Sequence, residues 1–129
     1  MNTKPKVLFV DDDLLLVKAV ELITRNTPYE FHLTTSVKEA RQLLRSQAFQ
    51  IIFSDYHMPD CNGVDFLAEA AVFCPGSVRI LVSASLRDDL ARQSLKQKHI
   101  FNFLKKPFGK DNFNNSLAEA LEVWENQKN

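Results

Sequence analysis

The sequence predicts an α/β protein, a (βα)5 doubly wound five-stranded parallel sheet with helices on both faces. Three observations carry that prediction. Short apolar runs rich in Val, Ile and Phe recur along the chain, and the stretches between them have helical periodicity. The central runs are continuously apolar rather than alternating, as strands covered on both faces require. The 129 residues suffice for one domain, residues 1–129, and no Gly/Ser-rich linker or shift of composition divides them.

The elements follow in order. Val7-Leu8-Phe9-Val10 is the first strand, stopped by Asp11-Asp12-Asp13. Leu14 to Arg25 reads as a helix with an apolar stripe through Leu14, Val17 and Leu22, ended by Asn26-Thr27-Pro28. Phe31 to Thr35 alternates apolar and polar, as a strand covered on one face would. Ser36-Val37-Lys38-Glu39 is a capping-box pattern that opens a second helix carried by Ala40, Leu43 and Leu44. Ile51-Ile52-Phe53 is the third strand, ended by Ser54-Asp55, and Met58 to Gly63 is a loop. Val64 to Phe73 is a third helix with Phe66, Leu67 and Ala70 inward, and Pro75-Gly76 terminates it. Val78 to Ser83 is the fourth strand, Asp88 to Lys98 the fourth helix and Phe101 to Leu104 the fifth strand, broken by Lys106-Pro107. The fifth helix runs from Lys110 to Gln127, with Phe113, Leu117, Leu121 and Trp124 at core spacing.

Composition narrows the function. Sixteen Lys+Arg balance sixteen Asp+Glu, which speaks against a domain that grips nucleic acid by bulk charge or lies on a membrane surface. No apolar run approaches the roughly 20 residues of a membrane span, and the N-terminus lacks a signal-peptide pattern, so a cytoplasmic protein is expected. Cys61 and Cys74 are too few for a disulfide scaffold and lack zinc-site spacing, so they read as apolar fillers or free thiols.

In a parallel sheet, ligands bind outside the carboxyl ends of the strands. Those ends carry Asp11-Asp12-Asp13, Asp55, Ser83 and Lys105-Lys106-Pro107. Crowded carboxylates repel unless a cation neutralises them, and hard oxygen ligands in a loose, hydrated cluster favour Mg2+. With only three glycines there is no phosphate-cradling loop for a mononucleotide. An aspartate beside a metal, a lysine and a hydroxyl suits phosphoryl chemistry: nucleophile, charge neutralisation and a hydrogen-bond donor.

Val-Asp-Asp-Asp at 10–13, Ser-Asp-Tyr-His-Met-Pro at 54–59, Val-Ser-Ala at 82–84 and Lys-Lys-Pro-Phe at 105–108 resemble the receiver domain of two-component response regulators, the CheY-like superfamily. The resemblance spans nearly the whole chain and implies the flavodoxin-like strand order 2-1-3-4-5. It implies that Asp55 accepts a phosphoryl group from a sensor histidine kinase or phosphotransfer protein. It further implies that Asp12, Asp55 and the backbone carbonyl of His57 ligate Mg2+, with Asp11 contacting it through water. Lys106 would pair with the phosphoryl group, while Ser83 and the aromatic Phe103 would form the switch. The output surface would be the fourth helix, fifth strand and fifth helix, serving a downstream effector or a homodimer. Ser at 83 and Phe at 103, in place of the commoner Thr and Tyr, keep the chemistry.

Asp13 reads as a solvated residue favoured by the helix dipole rather than a ligand. Lys105 competes with Lys106 for the lysine role, but the Lys-Pro pair falls at Lys106. The phrases Cys-Pro-Gly-Ser-Val-Arg-Ile-Leu and Phe-Leu-Lys-Lys-Pro-Phe are similar to receivers attached to cyclic-dinucleotide phosphodiesterase modules. The chain ends at Glu-Asn-Gln-Lys-Asn, shortly after the fifth helix, as expected of a stand-alone regulator or a receiver cut from a longer protein. A Mg2+-dependent phosphohydrolase with an aspartyl nucleophile is the competing class. Hydrolases of the haloacid dehalogenase type need Asp-x-Asp on the first strand and usually a cap, whereas here the acids are adjacent and no cap insertion exists. The expected protein is therefore a switch rather than an enzyme, with at most slow self-dephosphorylation.

Overall fold

The computed structural model describes residues 4–84 and 99–127. The helix expected at Asp88–Lys98 lies outside the described residues. The strands are β1 (Lys6–Val10), β2 (Glu30–Thr34), β3 (Ile51–Asp55), β4 (Val78–Ser83) and β5 (Asn102–Lys105). They form one sheet in the order β2-β1-β3-β4-β5, every neighbouring pair parallel. The helices described are α1 (Leu14–Thr24), α2 (Val37–Ser46), α3 (Gly63–Phe73) and a C-terminal helix (Lys110–Gln127).

The continuous apolar runs divide by parity, because successive strand side chains point to opposite faces. Leu8, Val10, Ile52 and Leu81 pack with α2 and α3 through Leu44, Phe66 and Leu67. Val7, Phe9, Ile51, Phe53, Ile80 and Val82 pack on the other face with α1 and the C-terminal helix. There Phe53 meets Phe113 with ring centroids 5.1 Å apart, and Phe9 meets Phe53 at 5.8 Å. Trp124 lies half-buried against this second core. Two covered faces explain the continuous apolar runs Val7–Val10, Ile51–Phe53 and Ile80–Val82 within β1, β3 and β4.

Some local expectations change. Leu14 and Leu22 do not face the core; they are 55% and 61% exposed, and α1 buries Val17, Val20 and Thr24 instead. α1 is apolar on more than one side, so spacing alone could not choose the inward one. β2 does not alternate cleanly, since three of its residues are half-buried at the sheet edge. β5 begins one residue later than expected, leaving Phe101 exposed. The capping box at α2 is half formed. Glu39 N–H donates to Ser36 Oγ at 3.1 Å, but the Ser36 N–H donates to Thr34 Oγ1 at 3.0 Å rather than to Glu39. Both cysteines are free, Cys74 buried and Cys61 half-buried.

Candidate functional site

The register places the chemistry. Val10 pairs with Ser54, Asp55 with Val82 and Ser83 with Lys105, so the carboxyl ends of β1, β3, β4 and β5 finish side by side. The residue that follows β1 is Asp11, fully buried, and the last residue of β3 is Asp55, also buried. Lys106 follows β5, and its backbone N–H donates to the Ser83 carbonyl at 2.8 Å, which anchors it to β4. Its ammonium lies 2.7 Å from Asp11 Oδ2 and 3.0 Å from Asp55 Oδ1. Lys105 is exposed. Lys106, the lysine of the Lys-Pro pair, is thus the one brought to the acids.

Burial first, and the Asp11 charge second, push the Asp55 carboxyl up to about 6; Lys106 opposes that rise without cancelling it. Burial pulls the Lys106 ammonium down, but its hydrogen bonds to Asp11 and Asp55 outweigh this and hold it above the ordinary lysine range. One cation therefore serves two acids, and the site retains an excess of negative charge.

Asp11, Asp12 and Asp55 each offer a carboxylate oxygen, all within 4.8 Å of one another. Asp12 is exposed, so the cluster opens to water on its side. Asp11 is oriented from behind, as the Asp13 N–H donates to its Oδ1 at 2.9 Å. An all-oxygen set with a wet side fits Mg2+, which takes few carboxylates and keeps several waters. Asp13 is the N-cap of α1, accepting from the N–H groups of Leu15 and Leu16 at 3.0 and 3.4 Å. Capping uses the side chain that sequence reasoning had assigned to the helix dipole alone.

Ser83 is buried at the end of β4. Phe103, on β5, is half-buried against the core shared with α2 and α3. It lies two residues before Lys105, the register partner of Ser83. His57 is exposed in the loop after β3, its ring edge-on to Tyr56 at 4.6 Å.

Two residues near the site escaped sequence reasoning. Gly63 opens α3 so close to β3 that a Cβ there would fall 2.1 Å from the Asp55 carbonyl oxygen. Its signal was present, one of only three glycines standing immediately before a helical pattern. Ser54, fully buried, directs its hydroxyl to the backbone of Asp55. No spacing rule marks such a residue.

The sequence pattern described as the response regulator receiver domain matches residues 7–118. The chain is 30% identical over 119 residues to the hydrogenase transcriptional regulatory protein HoxA of Cupriavidus necator, covering 91% of this chain and 24% of HoxA. The chain thus spans about a quarter of the length of the curated relatives it matches. Among solved structures it is similar to the signal receiver domain of an HD domain-containing protein from Pseudomonas fluorescens Pf-5, with TM-score 0.90, 24% identity and coverage of 99% of this chain and 94% of that one. It is also similar to the beryllofluoride-activated NtrC4 receiver domain dimer, with TM-score 0.83, 28% identity and coverage of 92% and 98%.

Proposed function

The chain belongs to the response regulator receiver domain family, and from that premise we propose that it is a phospho-accepting switch whose acceptor is Asp55. The single observation that carries this reading is the Asp11–Lys106–Asp55 arrangement, one ammonium held by two buried carboxylates at the open end of the sheet. In the proposed reaction an Asp55 carboxylate oxygen bonds to phosphorus as the P–N bond of a kinase phosphohistidine breaks, and the imidazole leaves. Lys106 neutralises a phosphoryl oxygen, and the Ser83 hydroxyl donates to another. Asp12, Asp55 and the His57 carbonyl would hold Mg2+ directly and Asp11 through water; when bound, the ion supplies further neutralisation of the phosphoryl charge. The product is an acyl phosphate that only slowly loses its phosphoryl group to water, so the protein works as a switch and not as a turnover enzyme.

Phosphorylation replaces the single Asp55 carboxylate charge with a phosphoryl group bearing roughly −1.5 to −2, a net gain of up to about one negative charge, together with further strong acceptor oxygens. That charge favours the conformation in which Ser83 and Lys106 draw closer, and so shifts an existing equilibrium. The shift would be read on β5, the C-terminal helix and the segment between β4 and β5. The partners are a sensor histidine kinase or phosphotransfer protein in the cytoplasm and, downstream, an output module or a second copy. Transcriptional control, as in the name of HoxA, or an HD-domain or cyclic-dinucleotide phosphodiesterase module are the outputs the resemblances suggest. No helix among the described residues is long and apolar enough to cross a membrane.

Incubation with a small phosphodonor and Mg2+ should add one phosphate by intact-mass spectrometry. An adduct that persists in Asp55→Asn, or that forms equally without the metal, would refute the assignment.

A further inference from the structure

Ser54 is fully buried on the face of β3 that carries Ile52, and Tyr56, just past the strand, is buried in the same core. Its hydroxyl donates to the Asp55 carbonyl oxygen at 3.0 Å and meets the Met58 sulfur at 4.0 Å. These two contacts bracket the loop residues Tyr56 and His57. The same loop is gripped from outside as well. Tyr56 N–H donates to Val82 O at 2.8 Å, and Gly63 N–H donates to Tyr56 O at 2.8 Å. The Asp55 carbonyl is also covered by Gly63, where a Cβ would lie 2.1 Å away. A hydroxyl in an apolar cluster costs desolvation unless its bonds are made, so these contacts compensate a burial that an alanine would not incur.

From this we infer that Ser54 is a positioning residue: it fixes the peptide after the acceptor so that the Asp55 carboxylate and the His57 backbone face the metal together. The inference rests on the reading of the acid cluster as a Mg2+ and phosphoryl site. The Ser54 hydroxyl is engaged with the Asp55 carbonyl and the Met58 sulfur, so it acts through the loop.

The test is a Mg2+ titration of the intact chain, followed by amide chemical shifts, for wild type, Ser54→Ala and Ile52→Val. Ile52→Val loosens the same strand without touching the loop, and serves as the control for general slackening. Ser54→Ala should weaken Mg2+ binding by about three- to tenfold, the range one lost hydrogen bond covers. Ile52→Val should bind as wild type does despite a lower melting temperature. At saturating Mg2+ the Ser54→Ala phosphorylation rate should return to near the wild-type value. Wild-type affinity in Ser54→Ala, or equal weakening in Ile52→Val, overturns the positioning role while leaving the acceptor site intact. Absence of any Mg2+ response in wild type overturns the acid-site reading, and this inference with it.

Discussion

At neutral pH the fold holds Asp55 ionised at a cost. Its carboxyl is raised from 3.8 to about 6, chiefly by burial and then by Asp11. The folded chain therefore binds that proton more tightly than the unfolded chain does. The penalty is fully present above about pH 6 and is relieved as pH falls from there toward the ordinary carboxylate range. Asp55→Asn, a neutral isostere, should raise the melting temperature at about pH 8 by roughly 3–5 °C. The gain should vanish near pH 4, which a thermal scan across pH would reveal. Asp12 is exposed and is the smallest cause of the Asp55 shift, so Asp12→Ala should stabilise metal-free protein by less. Lys106→Met acts in the opposite direction. It strands the buried Asp11 without a cation and should cost about 3 kcal/mol in urea unfolding, part of which Asp11→Asn restores. The acids and the lysine were legible in the sequence because each sits where an apolar run ends. Ser54 and Gly63 were not, because what distinguishes them is proximity to one backbone carbonyl, a relation that no run or period encodes.

The helix starts tie local stability to the site. Asp13 caps α1 while its own N–H orients Asp11, so one residue serves both the helix and the acid cluster. Asp13→Asn should keep the cap and the melting temperature, whereas Asp13→Ala should lose about 1 kcal/mol. Neither change removes the N–H that orients Asp11, so both variants should still accept phosphoryl groups. Gly63→Ala should be far more damaging, since its Cβ meets backbone that cannot yield, and we expect a loss of at least about 2 kcal/mol by chemical denaturation. Most described elements were legible within a residue or two, because Asn26-Thr27-Pro28, Ser36 and Pro75-Gly76 punctuate them clearly. The inward side of α1 was not, as Leu14, Leu15 and Leu22 are all exposed. An apolar helix with several candidate faces has its buried one chosen by the sheet.

For the molecule as a whole, the proposed switch requires that an event at Asp55 reach β5. Ser83 joins the two, since its carbonyl accepts the Lys106 N–H and its register partner is Lys105. If its hydroxyl is drawn toward a phosphoryl group, the room it leaves can be taken by the ring of Phe103. Ser83→Ala should still take up beryllofluoride, because Lys106 and the metal remain, but the amide shifts along β5 should be lost. Unchanged β5 shifts in that variant would refute the hydroxyl as the relay. The strand count was legible from periodicity alone. The order β2-β1-β3-β4-β5 was expected from resemblance only, since hydrophobic pattern says which residues are buried but not which strands are neighbours.

β5 is four residues long and, among the described residues, has a strand neighbour on one side only, and Lys106 follows it directly. An edge strand of that length opens at a smaller free energy than the centre of a sheet does. Each opening would withdraw the ammonium from both acids at once and admit water to Asp55. Native-state hydrogen exchange should therefore find the β5 amides less protected than those of β1 and β3. If Asp55 carries a phosphoryl group, its shelter from water would depend on the breathing of this one margin of the sheet as well as on global unfolding.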